Sequence, residues 1–108
     1  MNYKHLFSEN HFVFNGTPYH EKSYAQSFLK LTEDILNEKH GRLPKGKQLK
    51  SMFKETIKLE ESHIPPSVKS KNCYRKLGDV YVILAYGKDV FKSKIANYSE
   101  TLKVSVQL

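Results

Sequence analysis

Asn15-Gly16, set between the arms His11-Phe12-Val13-Phe14 and Thr17-Pro18-Tyr19-His20, constrains this chain more than any other stretch. Asn-Gly between aromatic and β-branched residues is the strongest short-range signal for a two-residue hairpin turn, because both turn residues must take positive φ. The turn predicts the pairs Phe14–Thr17, Val13–Pro18, Phe12–Tyr19 and His11–His20. The pair closing the turn is hydrogen-bonded, so alternation makes Val13–Pro18 a non-hydrogen-bonded pair. Proline, with no N–H to give, is tolerated there. Phe12, Phe14 and Tyr19 then share one face, the buried one. His11 and His20 share the other, with Cβ atoms about 5 Å apart.

Two imidazoles across a strand pair are half of a metal site, with His5, Glu9 or Glu21 as third-ligand candidates. Zinc takes four ligands, or three and a water, and no Cys/His spacing elsewhere completes a set. The pair reads as solvated histidines of a surface hairpin, and no metal or other cofactor is expected.

Beyond the hairpin, the capping-box spacing Ser23…Gln26 opens a helix. Tyr24, Ala25, Phe28, Leu29, Leu31, Ile35 and Leu36 recur on one side of it, and Gly41 is positioned to stop it. The expected span is 23–39. After the loop "RLPKGK", a second helix is expected over 47–62. Leu49, Met52, Phe53, Thr56 and Ile57 face inward, Lys47, Lys50, Lys54 and Lys58 face outward, and Ile64-Pro65-Pro66 ends it. Residues 67–77 fit either a loop or a short helix. "DVYVILAYG" is apolar on both faces and reads as a central strand. Residues 88–99 fit a short helix with Phe91, Ile95 and Tyr98 on one side, or a returning strand. "TLKVSVQL" alternates, with Leu102, Val104, Val106 and Leu108 inward. The elements add up to one α+β domain over 1–108: an N-terminal hairpin, two packed amphipathic helices and a C-terminal strand pair in two layers. The terminal strand is a candidate edge for a homodimer.

Charge points to the class of partner. The chain carries +7, and sixteen of its eighteen cations are lysine. Residues 1–38 hold three lysines against five carboxylates, a net −2, which leaves +9 on residues 39–108. An AT-rich genome accounts for a lysine excess but not for that split. A polyanion partner does. Lys39, Arg42, Lys45, Lys47, Lys50, Lys54 and Lys58 form one basic run, and Lys69, Lys71, Tyr74, Arg75 and Lys76 form a second with an aromatic interleaved. Lysines track phosphates by releasing counterions, and aromatics stack on bases. Lysine in place of arginine argues against sequence-specific reading.

No catalytic motif is legible. There is no glycine-rich phosphate loop and no nucleophile elbow. The lone Cys73 lacks a placed base. His63, Tyr74, Arg75, Lys76 and Tyr98 carry groups suited to a ribonuclease toxin but are scattered along the chain. The expected function is therefore a small, non-enzymatic nucleic-acid-binding protein on RNA or DNA backbone. One alternative is a regulator or inhibitor, of the kind mobile elements encode, that binds an acidic protein or ribonucleoprotein surface. The other is the ribonuclease. One cysteine, no signal-peptide core and no apolar run beyond Val80–Tyr86 predict a cytoplasmic protein with no membrane partner.

Overall fold

The hairpin has the register its turn dictates: His11 opposite His20, Phe12 opposite Tyr19, Val13 opposite Pro18 and Phe14 opposite Thr17. Asn15 and Gly16 both take positive φ, 51° and 77°. This is seen in a computed structural model that describes residues 11–108. His5 and Glu9 lie outside the described residues.

The chain runs β1 (His11–Phe14), β2 (Thr17–His20), α1 (Tyr24–Leu36), α2 (Lys47–Met52), β3 (Ile57–Lys58), a 3-10 turn (Glu61–His63), α3 (Pro66–Lys71), β4 (Tyr74–Leu77), β5 (Val80–Ile83), α4 (Lys88–Leu102) and β6 (Val106–Gln107). The strands form two antiparallel three-stranded sheets, ordered β2-β1-β6 and β3-β5-β4. The class is α+β, as expected. No helix among the described residues is long and apolar enough to cross a membrane.

An aromatic core joins the layers. Phe12, Phe14, Phe28, Tyr98, Leu31, Ile35, Ile95 and Val82 are fully enclosed, and Phe28 touches both Phe91 and Tyr98. A second, smaller cluster of Ile64, Val68 and Ile83 lies across the second sheet. Val82 and Ile83, neighbours on β5, thus point into different clusters. That is why the β5 segment is apolar on both faces.

Three expectations change, and two segments with open readings resolve. Helix α1 ends at Leu36 rather than 39, and Glu38, not Gly41, takes the left-handed position (φ 57°). The Lys39 N–H bonds to the Asp34 carbonyl and the Glu38 N–H to the Ile35 carbonyl, the two bonds of a Schellman ending. Leaving the helix there lets His40 bury its ring edge-on against Phe14.

The second helix is six residues long, not sixteen. Glu55 takes φ 61°, and Ile57–Lys58 turn into the sheet against Val82 and Tyr81. Its expected lysine face is therefore divided: Lys47 and Lys50 lie on α2, Lys54 in the turn after it and Lys58 on β3.

Residues 88–99 are helical, and α4 runs on through Leu102. That leaves a two-residue β6, paired with β1 rather than β5. Leu102, Val104 and Val106 do pack on the core, but Leu108 is half exposed. Finally, residues 67–77 resolve into α3, which starts on Pro66, followed by β4.

Candidate nucleic-acid interface

β5 is the middle strand of the second sheet, and Tyr81 and Val82 have a cross-strand neighbour on both sides. Tyr81 lies opposite Lys58 of β3 and opposite Lys76 of β4. Residues directly opposite one another share a face, so Lys58, Tyr81 and Lys76 form one row across the sheet. Tyr74, two residues before Lys76, is on the same face. Its ring centroid is 6.3 Å from that of Tyr81, the planes tilted by 54°. The Lys76 ammonium sits 5.8 Å over the Tyr81 ring.

Local sequence explains each placement. Gly78, with φ 56°, opens the two-residue turn that pairs Leu77 with Val80 and so sets Lys76 against Tyr81. Pro65-Pro66 starts α3, whose Val68 packs with Ile64 and Ile83 beneath the tyrosines. Tyr74 and Tyr81 are each half-buried. Their inner edges are anchored on that apolar cluster and their outer parts are accessible, which is the arrangement a stacking platform needs.

Of the sequence candidates, Lys58, Tyr74 and Lys76 come together here. Arg75 does not: alternation turns it to the opposite face with Val82 and Ile57. There its guanidinium donates to the carbonyls of Tyr74 (2.7 Å) and Asn72 (3.1 Å). Lys39 is drawn to Asp34 (3.4 Å) and Lys69 to Glu61 (3.6 Å). Arg42, Lys45, Lys47, Lys50, Lys54 and Lys71 are exposed. Lys58 and Lys76 have no carboxylate at ion-pair distance among the described residues.

Tyr81 is the member that sequence reasoning missed. It sits inside an apolar run, and the only signal was alternation: Tyr81 is out of phase with Val80 and Val82, which face the main core side.

Two features of the structure bear on the ribonuclease candidates His63, Tyr74, Arg75, Lys76 and Tyr98. Tyr98 is fully enclosed, its hydroxyl 3.4 Å from Thr32 and its pKa pushed well up by burial. Arg75 and Lys76 point to opposite faces. The hairpin histidines have ring centroids 5.7 Å apart, but the expectation that both are solvated holds for His20 alone, since His11 is buried.

A second polar constellation, absent from the sequence reading, lies under the hairpin. The Tyr19 hydroxyl donates to the Asp34 carboxylate (2.6 Å) and accepts from Nε2 of His40 (2.6 Å). Nδ1 of His40 then accepts from the Asn15 amide (3.4 Å). Tyr19 has one proton to give, so this chain requires a neutral His40 protonated on Nε2. All of Tyr19, Asp34 and His40 are buried. Burial, then the bond to Asp34, keeps the Tyr19 phenol protonated at any ordinary pH. The constellation clamps the turn, the end of α1 and the loop after it together.

Comparison with protein-family models, with curated proteins and with solved structures finds no match for this chain.

Proposed function

We propose that this protein binds single-stranded nucleic acid on the outer face of its second sheet. Tyr74 and Tyr81 stack on bases, and Lys58 and Lys76 neutralise flanking phosphates. The observation that carries this reading is the cross-strand row Lys58–Tyr81–Lys76 beside Tyr74. Two half-exposed rings, flanked by cations without ion pairs among the described residues, combine the two components that single-strand binders use: aromatic stacking and an electrostatic track. Bases in a duplex are already stacked, so rings of this kind favour an unpaired strand. Arginine-poor surroundings give little means of reading a particular base. The net charge of +7 and the exposed lysines of α2 add a longer-range attraction for the same polyanion. A cytoplasmic setting suits the role, and the lone Cys73 is consistent with it.

Fluorescence anisotropy with a labelled 12-nucleotide single strand and its duplex tests the proposal. The single strand is expected to bind more tightly. Tyr81→Ala is expected to weaken binding by about 1–3 kcal/mol, the worth of one stacked base. A Tyr81→Ala protein that is folded and binds as wild type would overturn it.

A further inference from the structure

We infer that the open edge of β4 docks an extended acidic peptide, which joins the second sheet as a fourth strand. This goes beyond the nucleic-acid reading, and its groove-side contacts lie on the face opposite the tyrosines.

Among the described residues, β4 has a strand neighbour on one side only. Leu77 opposite Val80 closes the Gly78-Asp79 turn as a hydrogen-bonded pair. By alternation the pairs Lys76–Tyr81 and Tyr74–Ile83 are non-hydrogen-bonded. The peptide groups of Tyr74 and Lys76 therefore point away from β5, toward the open edge. The Arg75 guanidinium folds back onto the Tyr74 carbonyl, and onto that of Asn72. A flexible side chain thus holds the position that a backbone N–H from a neighbouring strand would take.

Beside this edge, between β4 and the outer face of α1, runs a groove of about 490 Å³. Ala25, Leu29, Leu77 and Leu84 form its apolar floor, with Glu21 and Glu33 on the α1 side. Lys30 is held by Glu33 (3.0 Å) and Asp34 (3.6 Å). Arg75 has no carboxylate partner among the described residues. A strand laid on this edge meets a lone guanidinium on its groove side, with leucine two residues further on. The complementary segment carries one acidic side chain beside Arg75 and apolar side chains two residues either way. Its main chain supplies the β-augmentation bonds.

A second copy of this chain is a poorer occupant. β4 paired antiparallel with itself sets Arg75 against Lys76, or each against its own copy, in every register that overlaps the middle of the strand. Like charges directly opposite are destabilising.

The probe is the acetylated, amidated peptide Thr-Val-Thr-Glu-Thr-Val-Thr, titrated into the whole protein by NMR. The expected result is slowed exchange of the Tyr74 and Lys76 amides. N-methylation of alternate peptide residues should abolish binding in one phase and leave it intact in the other, because only one set of amides faces β4. Arg75→Glu, with an unchanged circular dichroism spectrum, should lower affinity about tenfold through loss of a charge-assisted bond. No shift at Tyr74–Leu77, or equal binding of both methylated peptides, overturns the inference. So does a dimer in the absence of peptide with those two amides already protected. None of these readouts depends on nucleic acid, so the two proposals fail separately.

Discussion

Single residues set the acid response of this fold. His40 is neutral in its buried chain. Burial first, and Lys39 in addition, outweigh the pull of Asp34 and keep its pKa below the ordinary 6.5. The unfolded chain therefore takes up this proton first as pH falls. The contribution is complete above pH 6.5 and is lost as pH drops through the lower folded value. Asp34 acts in the same direction at lower pH. Burial alone would raise its pKa, but the Tyr19 hydroxyl, Lys30 and Lys39 bring it below 3.8. Its share is present above that value and disappears as pH falls through the folded one. Melting temperature should be level between pH 8 and 7 and decline below 6.5, and His40→Gln should blunt the first part of the decline. A wild-type protein equally stable at pH 7 and 5 would contradict the assigned tautomer chain. Tyr24 gives an opposite kind of prediction. Its hydroxyl is enclosed with no hydrogen-bond partner among the described residues, and burial pushes its pKa up to about 12. Removing an unsatisfied buried hydroxyl relieves a desolvation penalty. Tyr24→Phe should raise urea stability by about 1 kcal/mol.

At the scale of elements, endings decide more than propensities do. Helices α1, α3 and α4 stop on the non-glycine left-handed residues Glu38, Asn72 and Lys103, and the turn after α2 uses Glu55. A left-handed L-residue costs about 1 kcal/mol, so each position is held in place by the contacts of its C-terminal neighbours. Thr56, directly after Glu55, is buried, and its carbonyl accepts from the Ile83 N–H at 2.7 Å. Glu55→Gly keeps this geometry and removes the steric penalty, so it should stabilise by up to about 1 kcal/mol in thermal melts. Glu55→Val should destabilise, since β-branching tolerates positive φ least. The expected long second helix failed at this point: its apolar spacing continues through Thr56 and Ile57, but strand pairing with β5 offers those residues partners that a helix does not.

For the whole molecule, the charge asymmetry is partly spent internally. The carboxylates of α1 hold Lys30 and Lys39, so the N-terminal excess of acid does not simply oppose the basic half. Salt dependence measures how many of the remaining cations reach a bound strand. Single-strand affinity falls with log salt at about −0.7 per neutralised phosphate. Lys58 and Lys76 alone predict a slope of about −1.4, and each further lysine on or beside α2 that takes part adds about −0.7. A slope near −1.4 that drops by half in Lys76→Ala would confine the interface to the second sheet. A slope of −4 or steeper would bring in Lys45, Lys47, Lys50 and Lys54.

Where the physics is local, the amino-acid order was sufficient. Asn15-Gly16 dictated the hairpin and its register, Ser23 the start of α1, whose Gln26 N–H it caps at 3.1 Å, and the unbroken apolar run around Val82 a central strand. These depend on turn sterics, on capping and on burial of both faces, all legible within a few residues. What tertiary structure alone decided was which β-segments meet. Neither the division of the strands into two sheets nor the end of α2 is written in any window, because Ile57–Lys58 gain their partners about 25 residues later. The same pairing brings Lys58, Tyr81 and Lys76 into one row and turns Arg75 away from it. A side chain's face is set by its own strand, but its neighbours are set by register with another, and that is a long-range choice.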